Sequence, residues 1–282
     1  MKTIKFDIPE SFNGKSIKAF FQYAHLSSKN IHLLKMAKAI QVNQRLANDT
    51  YVFKKNDILE IDFDAIPMKP VKPSCNPVDI LYEDQDMVIV NKPVKVLTHE
   101  DETDFDSLTN RLNGYYQQLN YPFSVLPAHR IDYDTSGMVI FGKHPLAMSY
   151  LSSLFESRSI KKVYQALIPG EFTQKQGTIN LPIGQDRHQN KMMVSNTGKD
   201  AKSIYQWQRK INDDHLVEIE IIGGRKHQIR VHMAHIKHPI KGDSIYGEKS
   251  DRLYLHFYKV SMPKFLTDDQ FEYQVSAPFA FE

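Results

Sequence analysis

An α+β fold is the class this sequence predicts, with strands alternating along the chain and helices scattered among them. Helical spacing of apolar residues recurs in separate stretches, such as Leu108, Leu112, Tyr115 and Leu119, or Ala147, Tyr150, Leu151 and Leu154. Short β-rich runs lie between them, among them Met87-Val88-Ile89-Val90 and Met138-Val139-Ile140-Phe141. At 282 residues the chain is long enough for a sizeable core and for two domains.

Residues 1–63 read as a small separate unit. Ile17, Phe20, Phe21 and Ala24 follow helical spacing, and so do Ile31 and Leu34 after a cap expected at Ser28. Three β-like pieces follow: Ile40-Gln41-Val42, Tyr51-Val52-Phe53 and Ile58-Leu59-Glu60-Ile61. Turn-forming Asn43, Asn48-Asp49 and Asn56-Asp57 separate them. Lys15, Lys18, Lys29, Lys35, Lys38 and Arg45 dot the helical part and the turn after it.

Two helices, then a compact strand-turn-strand with a basic helical face, resemble the S4 RNA-binding domain. The matching parts are Leu26-Ser27-Ser28-Lys29-Asn30, Val42-Asn43 and Lys55-Asn56-Asp57-Ile58-Leu59. The resemblance makes Lys29 and Lys35 expected RNA contacts. Gln44 stands where that family has glycine, and Ser28-Lys29 replaces its Ser-Arg pair, which loses the bidentate fork of arginine. A small domain with a solvated basic face is the alternative reading.

Prolines at 67, 70, 73 and 77 mark residues 64–78 as a semi-extended linker. Residues 79–282 form the second expected domain. It opens with Ile80-Leu81-Tyr82, a turn at Glu83-Asp84-Gln85-Asp86, and an apolar strand closed by Asn91-Lys92-Pro93. Ser107 is placed to cap the helix of Leu108, and Pro145 to start the next one. A strand around Lys162–Ile168 follows, then a turn-rich excursion through Gly198. Strands Ser203–Arg209 and Leu216–Ile222 complete the pattern.

Apolar and charged fractions of 41% and 24% exclude chain-wide disorder. A net charge of +3 permits an anionic partner without demanding one. Cys75 is the sole cysteine, so neither an intrachain disulfide nor a cysteine-rich zinc site can form. The start, Met1-Lys2-Thr3-Ile4-Lys5-Phe6-Asp7, lacks a signal-like apolar core, and no stretch approaches the roughly 18–20 apolar residues of a membrane span. The expectation is a cytoplasmic protein without membrane contact.

Two polar stretches carry the chemistry. The first, Ala128-His129-Arg130-Ile131-Asp132-Tyr133-Asp134-Thr135-Ser136-Gly137, is a loop between ordered elements, where function concentrates. The second, Gly224-Arg225-Lys226-His227-Gln228-Ile229-Arg230-Val231-His232, reads as a turn opening a helix. Ile229, Met233 and Ile236 would face the core there, with Gln228, His232 and His235 on another face. The two stretches are expected to meet. Asp132, if buried and ionised, needs a facing cation, and Arg225 and Arg230 are better placed than the adjacent Arg130.

Rival chemistries are weaker. His227, His232, His235 and His238 near Asp243 suggest a metal, but the paired-histidine spacing of zinc helices and its glutamate are missing. Ser136 lacks a nucleophile elbow, and Gly223-Gly224 is no phosphate or dinucleotide loop. A lone carboxylate without metal or cofactor suits work at a sugar carbon or a base. The residues by themselves name no reaction.

His129-Arg130-Ile131-Asp132 through Thr135-Ser136-Gly137 resembles the His-Arg-Leu-Asp-x-x-Thr-Ser-Gly signature of RluA-type pseudouridine synthases. Glu83-Asp84 through Asn91-Lys92-Pro93 resembles that family's opening motif, and Lys162-Val163-Tyr164 its Lys/Arg-x-Tyr motif. The second polar stretch, continuing to His238-Pro239-Ile240-Lys241-Gly242-Asp243 and Tyr246-Gly247, resembles its long later motif, and Leu255-His256 its Leu-His. The family places glycine after Lys-Pro-x, where this chain has Lys95.

The resemblance implies isomerisation of uridine to pseudouridine in ribosomal or, second, transfer RNA, with no metal or cofactor. It implies a mixed, mainly antiparallel sheet with flanking helices behind the S4-like unit. No protein partner is required, and a monomer is expected. Asp132 would act as nucleophile or as the base that starts glycal formation, and Tyr164 would stack on the base and handle the C5 proton. Arg230 would pair with Asp132, Ile229 would pack on the ring, and Arg130 would fill the space left by the flipped base or hold phosphates. His129, Arg225 and Lys162 complete the expected RNA contacts. An RNA-binding protein that has lost turnover and a histidine-based metallohydrolase are the alternatives.

Overall fold

The computed structural model describes residues 2–101, 105–186, 189 and 191–280. Its first unit is a four-stranded antiparallel sheet with two helices. The elements are β1 (Thr3–Asp7), α1 (Ile17–Tyr23), α2 (Ser28–Met36), β2 (Ile40–Val42), β3 (Arg45–Leu46) and β4 (Ile58–Asp62), in sheet order β1-β4-β2-β3. Ile17, Phe20, Phe21 and Ala24 are fully buried, as their spacing predicts. The cap of α2 is Ser27, whose side chain accepts the amide of Asn30, and not Ser28, which is already helical. Tyr51-Val52-Phe53 contributes a single bridge, Val52 to Ser16, in place of a strand.

The second unit is built on a ten-stranded sheet. It contains β5 (Asp79–Glu83), β6 (Met87–Lys92), α3 (Leu108–Gln118), β7 (Leu126–Pro127), β8 (Ser136–Gly142), α4 (Pro145–Glu156), β9 (Lys161–Pro169) and β10 (Gln176–Asn180). After these come β11 (Ile183–Asp186), β12 (Lys191–Val194), β13 (Lys202–Ile211), β14 (Asp214–Ile222), α5 (Gln228–His235), β15 (Leu255–Pro263) and β16 (Gln270–Gln274). The main path is β10-β13-β14-β9-β15-β8-β6-β5, with β16 on β15 and β7 on β8. Among the described pairings only β8 with β15 is parallel, so the sheet is mixed and mainly antiparallel. The turn-rich excursion holds β10 and the β11–β12 hairpin, which period alone did not mark. Positions 187, 188 and 190 of that excursion, and Met1, lie outside the described residues.

Every residue of β8 is buried, so this strand reads as a continuous apolar run because both its faces are covered. Ser107 caps α3 in a reciprocal box with Asn110. Leu119, expected on the apolar face of that helix, is 58% exposed, and Tyr116 takes the buried place. Helix α3 ends at Gln118, so Leu119 has already turned off the face.

Gly137 decides where β8 can meet β15. It pairs with Phe257 at the parallel junction with φ of +112°, and an added Cβ would lie 2.5 Å from the Phe257 backbone nitrogen and oxygen. Gly137→Ala is expected to destabilise the fold by at least about 2 kcal/mol, read as a lower urea midpoint. An unchanged midpoint would mean that the junction can relax.

The proline-rich linker is docked in place. The Ser74 hydroxyl donates to Asp106 at 2.6 Å, and the Asn110 amide donates to the Lys72 carbonyl at 2.8 Å. The two units also pack on each other. Tyr23 stacks on Tyr150 with centroids 5.3 Å apart, and the His144 ring sits against Phe6 and Phe63. No helix among the described residues is long and apolar enough to cross a membrane.

Candidate active site

Asp132 stands half-buried in the loop that leads from β7 into β8. Its carbonyl accepts the amide of Thr135 at 3.1 Å, closing the tight turn that Thr135-Ser136-Gly137 predicts. Ile131, its buried neighbour, is tied by its amide and carbonyl to the hydroxyl of Thr98. The two polar stretches do meet. A narrow cleft of about 70 Å³ is lined by Arg130, Asp132 and Thr135 from the first, and by Arg225, His227, Ile229 and Arg230 from the second. Tyr164 of β9 forms another wall.

Tyr164 is both a core residue and a cleft residue. Its ring stacks on Phe257 with centroids 4.7 Å apart and planes 14° apart. Its hydroxyl has no hydrogen-bond partner among the described residues. Burial, and after it the charge of Asp132, push its pKa up, which keeps the phenol protonated.

Arg230 does not pair with Asp132, contrary to expectation. Its guanidinium forms a buried fork on Asp243, Nε to Oδ2 at 2.8 Å and Nη2 to Oδ1 at 2.7 Å. Burial works against its charge, but Asp243 outweighs that and holds the pKa above the usual arginine value, with a smaller contribution from Asp132. Asp243 is fully buried and also accepts the amides of Ile245 and Tyr246 at 3.0 and 3.1 Å. Arg230 therefore acts on Asp132 through its field and lines the cleft in a fixed pose.

The other expected site residues divide. Ile229 is 4% exposed and lines the cleft, and Arg130 lines it with an exposed side chain. Arg225 is anchored by its Nε to the Asp200 carbonyl at 3.0 Å. His129 is a framework residue: its Nε2 accepts the Ile140 amide at 3.1 Å, and its ring stacks on Phe155. Burial lowers its pKa to about 3, so the imidazole stays neutral. Lys29 and Lys35 lie on α2 of the first unit and line no part of this cleft; Lys35 pairs with Asp49 at 2.9 Å.

Two of the histidines behind the metal alternative, His227 and His232, are engaged otherwise. His232 must donate from Nε2 to the Leu181 carbonyl at 2.9 Å, so its Nδ1 accepts from the Ser203 hydroxyl. His227 lies 2.9 Å from the Tyr246 hydroxyl. His232 and Gln228 are buried, although their face of α5 looked polar, because both reach Ser203. Among the described residues no three His, Cys, Asp or Glu side chains are grouped to hold a metal ion.

Lys92 is the residue whose role its sequence position did not reveal. It is fully buried, and its ammonium donates to the carbonyls of Pro93, Val96 and Tyr133 at 2.9, 2.7 and 3.1 Å. Tyr133 sits between Asp132 and Asp134, so Lys92 pins the loop that carries the carboxylate. The Lys95 amide donates to the same Tyr133 carbonyl at 2.9 Å, with Lys95 at φ of +60°. The glycine expected there has its physical reason in that left-handed turn, which Lys95 keeps. Ser136 is held similarly: His256 Nε2 donates to Val275, so Nδ1 accepts the Ser136 hydroxyl, which in turn accepts from Arg252.

Burial lowers the Lys92 pKa to about 7, against the pull of Asp132 and Asp134. The folded value lies below the ordinary lysine value near 10.5. Between them the unfolded chain holds the proton and the folded one releases it, so stability rises with pH from about 7 and the full penalty applies below. Unfolding free energy is expected to rise by about 2 kcal/mol more between pH 7 and 9 in wild type than in Lys92→Met. Parallel curves for the two proteins would show that Lys92 stays charged.

Both units of the chain match known families. Residues 86–235 match the family model described as RNA pseudouridylate synthase. Residues 4–59 match the N-terminal domain of the RluD ribosomal pseudouridine synthase. An uncharacterized RNA pseudouridine synthase of Bacillus subtilis is 38% identical over 237 residues, 82% of this chain and 78% of that protein. The ribosomal large subunit pseudouridine synthase D of Borreliella burgdorferi is 30% identical over 256 residues, 86% of this chain and 78% of its own length. The fold is shared with human RNA pseudouridylate synthase domain containing 1, at a TM-score of 0.61 and 23% identity over 75% of this chain and 87% of that one.

Proposed function

Since the chain belongs to the RNA pseudouridylate synthase family and is an RNA pseudouridine synthase, we propose that it isomerises particular uridines of ribosomal RNA with Asp132 as the reacting carboxylate. The observation that carries this is the convergence on one cleft of Asp132 from a loop, Tyr164 from β9 and Arg230 from α5, in segments whose order matches the family's motifs.

The net reaction exchanges one bond for another. The N1–C1′ bond of the uridine breaks, the uracil rotates, a C5–C1′ bond forms, the C5 proton leaves and N1 gains one. The base must first leave its stack to reach a cleft this narrow. Asp132 begins the sequence, as a nucleophile at the sugar or as a base forming a glycal. Arg230 stands at the cleft as a fixed positive charge near the carboxylate. Tyr164, held protonated, is a poor base; it would pass the C5 proton only by accepting it while giving up its own. None of these steps calls on a metal or a bound cofactor. Lys29 and Lys35 of the S4-like unit would add contacts to RNA away from the cleft.

The test is pseudouridine mapping of total RNA from cells lacking the gene, complemented with wild type or with Asp132→Asn. Loss of one or a few ribosomal sites, restored only by wild type, is the expected outcome. Restoration by Asp132→Asn would move the role to Asp134. A map that changes nowhere would favour an RNA-binding role without turnover.

A further inference from the structure

His227 is a cleft residue that the proposed reaction leaves unused. It immediately precedes α5 and lines the same cleft as Asp132, Tyr164 and Arg230. Its Nδ1 lies 2.9 Å from the hydroxyl of Tyr246, and the two rings meet edge to face with centroids 5.6 Å apart. Its Nε2 has no hydrogen-bond partner among the described residues. No buried side-chain nitrogen or oxygen among them lacks a partner, so this nitrogen is accessible.

Tyr246 decides which nitrogen of His227 carries the proton. Its hydroxyl oxygen accepts the Met192 amide at 3.0 Å, and its own hydrogen has no acceptor among the described residues except His227 Nδ1. Tyr246 therefore donates to Nδ1, which leaves the proton of the neutral ring on Nε2. Tyr246 is itself fixed, by its amide on Asp243 at 3.1 Å and by the Arg230 guanidinium 5.4 Å from its ring centroid. Burial holds the His227 pKa below the usual histidine value, against the pull of Asp132. The ring is thus neutral near pH 7, an N–H donor that adds no charge to the cleft.

We propose that His227 is a catalytic residue that donates from Nε2 to a carbonyl oxygen of the uracil, with Tyr246 as the positioning residue that fixes its tautomer. The assignment rests on the reading of this cleft as the place where pseudouridine forms. When N1–C1′ breaks, by either route, its electron pair stays with the uracil, and the negative charge spreads over N1, O2 and O4. A preorganised donor at one of those oxygens stabilises the charge as it develops. Neutral imidazole can serve as such a donor without pairing with the carboxylate that must react. His227 keeps its Nε2 proton throughout. Asp132 is assigned to the sugar and Tyr164 to C5, and the Arg230 fork is occupied by Asp243, so the uracil oxygens otherwise lack an assigned donor.

The test compares His227→Asn with His227→Gln in single-turnover assays on the mapped RNA site, with RNA affinity and thermal midpoints measured separately. The glutamine amide nitrogen can reach the place of Nε2, whereas that of asparagine stops near Nδ1. His227 has φ of +57°, which asparagine accepts better than glutamine, so an effect on folding alone would favour the asparagine variant. The expected result is conversion slowed by about 10²–10³-fold in His227→Asn at nearly unchanged affinity, and restored to within about tenfold of wild type in His227→Gln. Nitrogen NMR of the wild-type imidazoles, with His227 identified by its loss in the asparagine variant, should show the proton on Nε2. Tyr246→Phe should admit the Nδ1–H form and slow conversion by about 3–10-fold. A wild-type rate in His227→Asn overturns the proposal, as does an equal loss in both His227 variants or a wild-type ring protonated on Nδ1. A single Nε2–H form in Tyr246→Phe overturns the part given to Tyr246. Failure of the underlying reading looks different: wild type itself then leaves uridine unchanged in every RNA, and the proposal falls with it.

Discussion

Asp132→Asn is expected to lower the rate of pseudouridine formation by about 10³-fold or more while leaving the fold intact. Asparagine has the shape of aspartate but neither its charge nor its basicity, so it can neither attack C1′ nor take a proton. No side-chain hydrogen bond of Asp132 to a described residue is lost, because its described bond is made by the backbone carbonyl to Thr135. The thermal midpoint should therefore hold within a few degrees. Single-turnover assays on the site found by mapping would read the rate. Near-normal turnover by Asp132→Asn would remove the carboxylate from the chemistry. A parallel Asp134→Asn protein supplies the comparison, since Asp134 is the rival carboxylate of the same loop.

Asp243→Ala is expected to destabilise the protein by about 3–5 kcal/mol, the largest stability effect we foresee for one side chain. The loss comes from what stays behind. Arg230 is 2% exposed, and without Asp243 its guanidinium is a buried charge with no partner. The amides of Ile245 and Tyr246 lose their acceptor as well. Replacing both partners, as Arg230→Met with Asp243→Leu, should restore much of the stability, because the orphaned charge goes with its counter-ion. It should not restore turnover, since the field of Arg230 at Asp132 is gone. Denaturant curves and rates on the same three proteins read both effects. A double variant that recovers activity together with stability would make Arg230 a purely structural residue.

The elements most readable in the chain were those with strong local patterns. Ile17, Phe20 and Phe21 marked α1, Ser107 and Pro145 marked helix starts, and the apolar run of β8 marked a covered strand. The motifs named the family, and their residues Asp132, Tyr164, Ile229 and Arg230 line one cleft. Each of these signals is set by neighbours a few residues away, or by residue types that the chemistry requires.

Partner choice was not readable in the same way. Arg230 could face Asp132 or Asp243, thirteen residues further on, and only the turn that buries Asp243 and aims two amides at it selects the second. Lys92 looked like a motif residue with no stated task until β6 and the Asp132 loop put three carbonyls around its ammonium. His129 looked like an RNA contact and His232 like a rival metal ligand until burial and backbone partners made them neutral supports. The sequence by itself determined the fold class and the family, because local periodicity and motif order encode them. Which charge meets which was decided by the tertiary structure. Those outcomes depend on burial and on contacts between segments far apart in the chain, and desolvation acts only once the segments have met.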